Sequence, residues 1–201
     1  MTSPKKAWNN WYHCIGTTYG AWLRGDPRGW RSRKHREHVP YDYKHPPPAG
    51  NYDRLHAYSK FIMGRDTVVL NWDERVMVCK TIFAALGFHN VEVAELCVSA
   101  THFHALCRFI PLSPGIAIPG LDNPRASQNR DPRHLIGIAK KESARSLSKS
   151  GMRPQGGVWA VRCKCKPIRD RRHQVRVARY IFAHYKHGAA VWRLVRDGRQ
   201  R

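Results

Sequence analysis

Two histidines separated by one residue, His102 and His104, are the first side chains in this sequence whose spacing suggests chemistry. On a strand, residues two apart point to the same face, so both imidazoles can reach one ion while Phe103 turns into the core. Neutral imidazoles suit Mn²⁺ and other divalent ions, and Mg²⁺ where phosphate oxygens and water complete its shell. By itself the signal is weak, because a chain with 12 histidines acquires such pairs by chance. A second pair stands towards the C-terminus. Tyr180 and His184 are four residues apart, which on a helix sets their Cβ atoms about 5–6 Å apart on one face. Val177, Ala178, Ile181, Phe182 and Tyr185 form the apolar side of that helix. The Tyr180 face continues to Arg176 and His187 and is basic. A phenol and an imidazole placed there could serve one reaction, the imidazole joining a metal shell and the phenolate attacking phosphorus. An amphipathic helix whose exposed face merely carries Tyr and His would have the same pattern.

The elements that must position these groups can be read from periodicity and punctuation. Residues 11–19 are rich in aromatic and β-branched types, stop at Gly20, and predict a first strand. From residue 21 to about 58 the pattern dissolves into a long loop, arm or insertion. Its Arg24, Arg28, Arg31, Arg33, Lys34 and Arg36 are interleaved with Trp22, Trp30, Tyr41, Tyr43 and Tyr52. That mixture fits backbone neutralisation with base stacking, and fits equally a loop whose aromatics pack on their own domain. Asp73 as N-cap predicts a helix to Leu86 closed by Gly87, with an apolar stripe of Val76, Cys79, Phe83 and Leu86 broken by Lys80. Residues 91–100 alternate, Val91, Val93, Glu95 and Cys97 on one face, with apolar residues on both, as a covered central strand would. Residues 101–110 predict its hairpin partner, and 111–130 a connecting loop. Asp131 caps a helix with Pro132 at its first position, running to Lys149 and ending by Gly151, with Lys140, Lys141 and Arg145 as a basic face. Residues 156–166 predict a fourth strand, and Asp170 caps a last helix that ends at Gly188. The order β-α-β-β-α-β followed by a helix defines an α+β, ferredoxin-like split βαβ fold with an antiparallel sheet, in one domain spanning 1–201.

Composition narrows the class of partner. Lys and Arg number 36 against 14 Asp and Glu, a formal net charge of +22. Such an excess repels itself unless a polyanion partly neutralises it, and nucleic acid is the commonest polyanion. A ribosomal or generic basic protein shares the composition. Apolar runs such as 81–88 are far short of a bilayer span, and residues 1–9 lack the apolar core of a signal peptide. The expectation is a soluble, cytoplasmic protein, associated with the nucleoid when bound to DNA, and no membrane partner. The six cysteines form no CxxC pair. Cys14, Cys79, Cys97 and Cys107 read as buried, reduced thiols, whereas Cys163 and Cys165 share one strand face and lack the partner spacing of a zinc site.

Three segments resemble the single-tyrosine HUH transposases, particularly the REP-associated tyrosine transposases and relatives among small insertion sequences. They are residues 11–20 (WYHCIGTTYG), residues 97–106 (CVSATHFHAL), and RYIFAH at 179–184 followed by KHG at 186–188. Each is moderately specific, and their order on the expected element types strengthens them. The resemblance covers roughly residues 11–192 and implies the same ferredoxin-like fold. It implies a metal-dependent enzyme that nicks and rejoins single-stranded DNA through a 5′-phosphotyrosine. Tyr180 would be the nucleophile, and His102, His104 and His184 would hold Mg²⁺ or Mn²⁺. Two departures stand out. The family usually carries Gln or Asn four residues after the tyrosine, where this chain has His184. The REP-associated branch tends to have Asn-Pro in this stretch, where His184-Tyr185 stands with one residue fewer before the glycine. Tyr185 is a second phenol, but it falls on the apolar side.

The partner implied is single-stranded or hairpin DNA, with a homodimer as one option. Besides the arm residues, Lys164, Lys166, Arg169, Arg171, Arg172 and Arg176 are candidates to hold the phosphate backbone, each with a solvated basic turn as its plain alternative. Two rival functions fit much of the same sequence. A non-catalytic sheet that grips single-stranded nucleic acid needs no convergence of His102, His104, Tyr180 and His184. A metal-dependent nuclease using water keeps the histidines and makes Tyr180 dispensable.

Overall fold

A computed structural model of the chain describes residues 7–28, 30, 45–110, 129–154 and 157–193. Its regular elements are β1 (Trp11–Thr18), α1 (Asp53–Phe61), α2 (Trp72–Phe88), β2 (Val91–Val98), β3 (His102–Phe109), α3 (Pro132–Lys149), β4 (Trp159–Pro167), α4 (Arg171–Ala183) and β5 (Ala190–Arg193), with a 3₁₀ turn at His184–His187 after α4. The five strands form one sheet in the order β4-β1-β3-β2-β5, and every pairing is antiparallel. The first four strands reproduce the expected split βαβ arrangement, so the fold is α+β and ferredoxin-like. The fifth strand extends the sheet beyond it on the β2 edge.

The sheet is covered on both faces. On one side α2 and α3 bury Val78, Ile82, Leu86, Leu135, Ile136 and Leu147 against Phe103, Ala105 and Cys107. On the other, α4 lays Val177 and Ile181 on Trp11, Cys97 and Leu106. Each fully buried aliphatic side chain contributes roughly 1.5–3 kcal/mol, which is how a chain with so much like charge stays compact. Among the described residues no helix is long and apolar enough to cross a membrane.

Several local details differ from the sequence expectation, each for a physical reason. α2 starts two residues earlier than Asp73 implies, because Asn71 is its N-cap: the Asn71 side chain accepts from the Glu74 amide at 2.9 Å and Glu74 accepts from the Asn71 amide at 2.8 Å, a capping box. Its buried stripe is Val78, Cys79, Ile82 and Leu86 rather than one through Val76 and Phe83, since the helix is apolar on several sides. Lys140 is buried rather than part of a basic face. Its Nζ donates to the Ala160 carbonyl at 2.6 Å, tying α3 to β4. Lys141 and Arg145 remain exposed. The expected arm contains α1 at its end, a helix in which only Ser59 is buried and whose amphipathic signal is correspondingly faint. Cys14, Cys79, Cys97 and Cys107 are buried free thiols, and Cys163 and Cys165 are free as well.

A β-bulge in β2 has the largest consequence. The register slips between Val93 and Glu95, so Val93 pairs with Cys107 but Glu95 pairs with Leu106. One extra residue reverses the side-chain parity downstream. Glu95 and Cys97 therefore leave the face of Val91 and Val93 and join the face covered by α4.

Candidate active site

The face beneath α4 collects the titratable groups. β3 presents His102 and His104 there, because Phe103 between them is fully buried on the other side. Phe103 is held by Gly16 across the ladder: a Cβ at Gly16 would come within 2.2 Å of the ring. This glycine is a seat for the side chain that sets the parity of the two histidines. α4 runs over the same face with Asp170 as its N-cap, the carboxylate accepting from the His173 amide at 2.6 Å. The helix tightens to 3₁₀ at His184 and stops at Gly188, which is left-handed at φ 71°.

These elements bring Tyr180, His102, His104 and His184 together. Ligand atoms of the three histidines all lie within 4.8 Å of one another. The His104 and His184 ring centroids are 4.9 Å apart, those of His102 and His184 5.4 Å, and those of Tyr180 and His184 4.9 Å. The Tyr180 hydroxyl stands 3.5 Å from His104 Nε2, and the tyrosine is 49% exposed, so a substrate can reach the phenol. Tyr185 is not packed on the apolar side as expected. It is half exposed and meets Phe182, because the change to 3₁₀ rotates it off the core.

Sequence reasoning missed one member of the cluster. His13, on β1, is buried, and its Nε2 lies 3.0 Å from His104 Nδ1. The tautomer of His104 that donates from Nδ1 to His13 leaves Nε2 as a free lone pair facing Tyr180. Metal-binding imidazoles are commonly fixed by such a partner on the second nitrogen. The signal available was parity alone: His13 is two residues from Trp11 and Ile15 on the same strand face.

The electrostatics keep the imidazoles neutral. Burial first, then the nearby charges of Lys166, His173 and His184, lower the His13 pKa to about 4. His102 falls to about 4, through burial and then the charges of His184 and Arg28. His104 falls to about 2, through burial and the surrounding histidines. His184 is also lowered by burial and by His187. Neutral imidazoles are the form that binds metal. His184 Nε2 is buried and has no hydrogen-bond partner among the described residues, an orphan that a cation would satisfy. The donor set therefore fits a divalent ion.

The candidate DNA-contacting residues divide. Lys164 and Lys166 on β4 pair with Ile15 and His13, which puts them on the site's face, and both are exposed. Arg176 shares the Tyr180 side of α4 by helical spacing and is exposed. Arg28 is near enough to depress His102 while its guanidinium pairs with Asp26 at 2.6 Å. Arg24 lies over the Trp30 ring at 5.5 Å. Trp30 itself is 5% exposed and packs edge-on against Tyr52, so it is a core residue and has no open ring to stack a base. Arg169 and Arg172 are exposed near the start of α4. Arg171 turns to the opposite flank of α4 from Tyr180, where it bonds Gln174. Arg31, Arg33, Lys34 and Arg36, with Tyr41 and Tyr43, lie outside the described residues.

No protein-family model matches the chain, and no curated protein matches it. Among solved structures, a REP-associated tyrosine transposase bound to a REP hairpin aligns with 94% of this chain and 75% of that one, at 12% identity and a TM-score of 0.41.

Proposed function

We propose that this protein cleaves and rejoins single-stranded DNA by attack of Tyr180 on a phosphodiester, as the single-tyrosine HUH transposases do. The observation that carries the reading is the convergence of an accessible phenol with three neutral histidines whose ligand atoms lie within 4.8 Å. A binding module would have no use for that arrangement.

His102, His104 and His184 would hold the cation, Mg²⁺ or Mn²⁺, with His13 orienting His104. The ion, when bound, would polarise a non-bridging phosphate oxygen and offset charge developing at phosphorus. Tyr180 Oη forms a bond to phosphorus and the bond to the 3′-oxygen breaks. The phenol proton ends on the released 3′-hydroxyl, and the strand is left joined to Tyr180 by its 5′-phosphate. The link preserves a phosphodiester, so a new 3′-hydroxyl can reverse the step and transfer the strand without ATP. Lys164, Lys166, Arg28 and Arg176 surround the site and supply backbone neutralisation.

The test mixes the purified protein with Mn²⁺ and a labelled library of single-stranded hairpins, and resolves covalent adducts on a denaturing gel. An adduct that Tyr180→Phe abolishes and Tyr185→Phe retains is the expected result. Cleavage without an adduct would replace this reading with a water-using nuclease. Tight binding with neither product would replace it with a binding module.

A further inference from the structure

On the other flank of α4 from Tyr180 the helix and sheet part to form a cavity of about 380 Å³. That lies within the range of about 300–1,000 Å³ typical of small-molecule sites. Leu106, Val175 and Ala178 give it apolar walls. Arg171, Arg179 and Arg193 ring it. Its floor carries Glu95, the residue that the β2 bulge turns onto this face.

Glu95 is only 3% exposed. Its Oε1 meets Arg193 Nε at 2.7 Å, an ion pair that ties β2 to β5. Its Oε2 is buried with no hydrogen-bond partner among the described residues. Burial raises the carboxyl pKa, and the Arg193 guanidinium opposes that rise. Glu92, also in the lining, is matched instead by Arg108 at 3.5 Å. A buried carboxylate oxygen left unpaired has lost its hydration without compensation, so a partner that donates to it would be strongly preferred.

We propose that this cavity receives one unstacked guanine of the DNA strand and reads its Watson–Crick edge through Glu95. The chemistry selects the base. A carboxylate offers only acceptors, and guanine alone presents two adjacent donors, N1–H and the N2 amine, along one edge. Adenine and cytosine place an acceptor nitrogen beside their single amine, and thymine flanks its N3–H with two carbonyls. Oε2 is unpaired and Oε1 keeps a second lone pair beside Arg193, so both guanine donors find an acceptor once the Glu95 carboxylate, closed to solvent in the free chain, turns to meet the base. The apolar walls cover the ring faces, and the arginines at the rim suit the flanking phosphates. The proposal rests on the reading of the protein as a single-strand DNA enzyme, and adds a specificity residue across α4 from the nucleophile.

The test measures fluorescence anisotropy of the full chain with labelled oligothymidylates carrying one central dG, deoxyinosine, dA or dC. A bidentate base contact discriminates by roughly tenfold to a hundredfold. The dG strand should therefore bind that much more tightly than dA or dC, with inosine, which lacks the N2 amine, in between. Glu95→Gln should bring dG to the level of dA while leaving the all-thymine strand unchanged. Ala178→Phe, which fills the cavity and keeps the Glu95–Arg193 pair, should do the same, and decides the matter if Glu95→Gln does not fold. A guanine preference that survives Ala178→Phe, equal binding of all four strands, or a Glu95→Gln effect confined to the melting temperature would overturn the proposal. Guanine preference without any Tyr180 adduct would remove the enzyme and keep the pocket, whereas adducts without base preference would do the reverse.

Discussion

His13 Nε2 and His104 Nδ1 lie 3.0 Å apart across the β1–β3 ladder, both rings buried, with the Tyr180 hydroxyl on the far side of the His104 ring. This contact fixes which nitrogen of His104 faces the phenol. Losing such a partner typically costs about 10- to 100-fold in metal affinity or activity. His13→Phe should weaken Mn²⁺ binding by about that factor in titration calorimetry while His102, His104 and His184 remain intact. An affinity unchanged by the substitution would reduce His13 to a packing residue.

The same cluster sets a pH dependence whose sign can be worked out. The folded pKa values of His13 and His102, about 4, and of His104, about 2, lie below the ordinary value near 6.5. Between these limits the unfolded chain binds more protons than the folded one, so protons favour unfolding. The stability is present in full above about pH 6.5 and is lost progressively as the pH falls towards 4. The three rings interact, so their protons act as a group and not as separate sites. Melting curves of the metal-free protein should fall between pH 6.5 and 4, and His104→Asn should flatten that fall. Adding Mn²⁺ should raise the melting temperature at pH 7 and lose its effect in acid, because only neutral imidazoles bind it. A melting temperature that does not change across this range would contradict the buried, neutral state of the histidines.

Much of this arrangement was legible in local pattern. Strand parity alone puts His102 and His104 on one face, and helical spacing alone puts Tyr180 beside His184. Contacts set by tertiary pairing were not. His13 meets His104 across 91 residues, and no window along the chain contains both. The face of Glu95 depends on a one-residue bulge that alternating Val91, Val93, Glu95 and Cys97 conceal. α2 shows a subtler failure, since Asn71 and Asp73 are both good caps and only the reach of Glu74 back to Asn71 decides between them. β5 is four residues long, too short to announce itself, yet it carries the arginine that pairs with Glu95. Trp30 stands in a basic loop where stacking on a base and packing on its own domain read alike, and only its burial in the folded chain favours the second.

Gly16 and Phe103 make a second cross-strand relationship with a measurable consequence. An added Cβ would sit 2.2 Å from the fully buried ring of Phe103, which lies on the opposite sheet face from its neighbours His102 and His104, and the ring would have to move. Overpacking of this kind costs about 1–3 kcal/mol. Gly16→Ala should lower the melting temperature by roughly 2–4 °C for each kcal/mol lost. It should also weaken Mn²⁺ binding, because moving Phe103 moves both neighbours. Phe103→Leu added to Gly16→Ala should restore part of the stability. If the double variant is no better than Gly16→Ala, the ring is not what the glycine accommodates.

Lys164 and Lys166 lie opposite Ile15 and His13 on β4, exposed on the face that carries the phenol, and the Lys166 charge reaches both His13 and His104. A strand laid across this face towards Tyr180 would pass over both ammonium groups. Each phosphate contact to single-stranded DNA contributes about 0.7 to the slope of log affinity against log salt. Lys164→Gln with Lys166→Gln should therefore lower that slope by about 1.4 and weaken binding most at low salt. The loss should be the same for every base, in contrast to substitutions at Glu95, and it should leave Mn²⁺ binding no weaker, since two repelling charges have been removed. Anisotropy titrations at several salt concentrations measure both quantities. An unchanged slope would place the DNA path elsewhere, along Arg28 and Arg176 and away from the β4 edge.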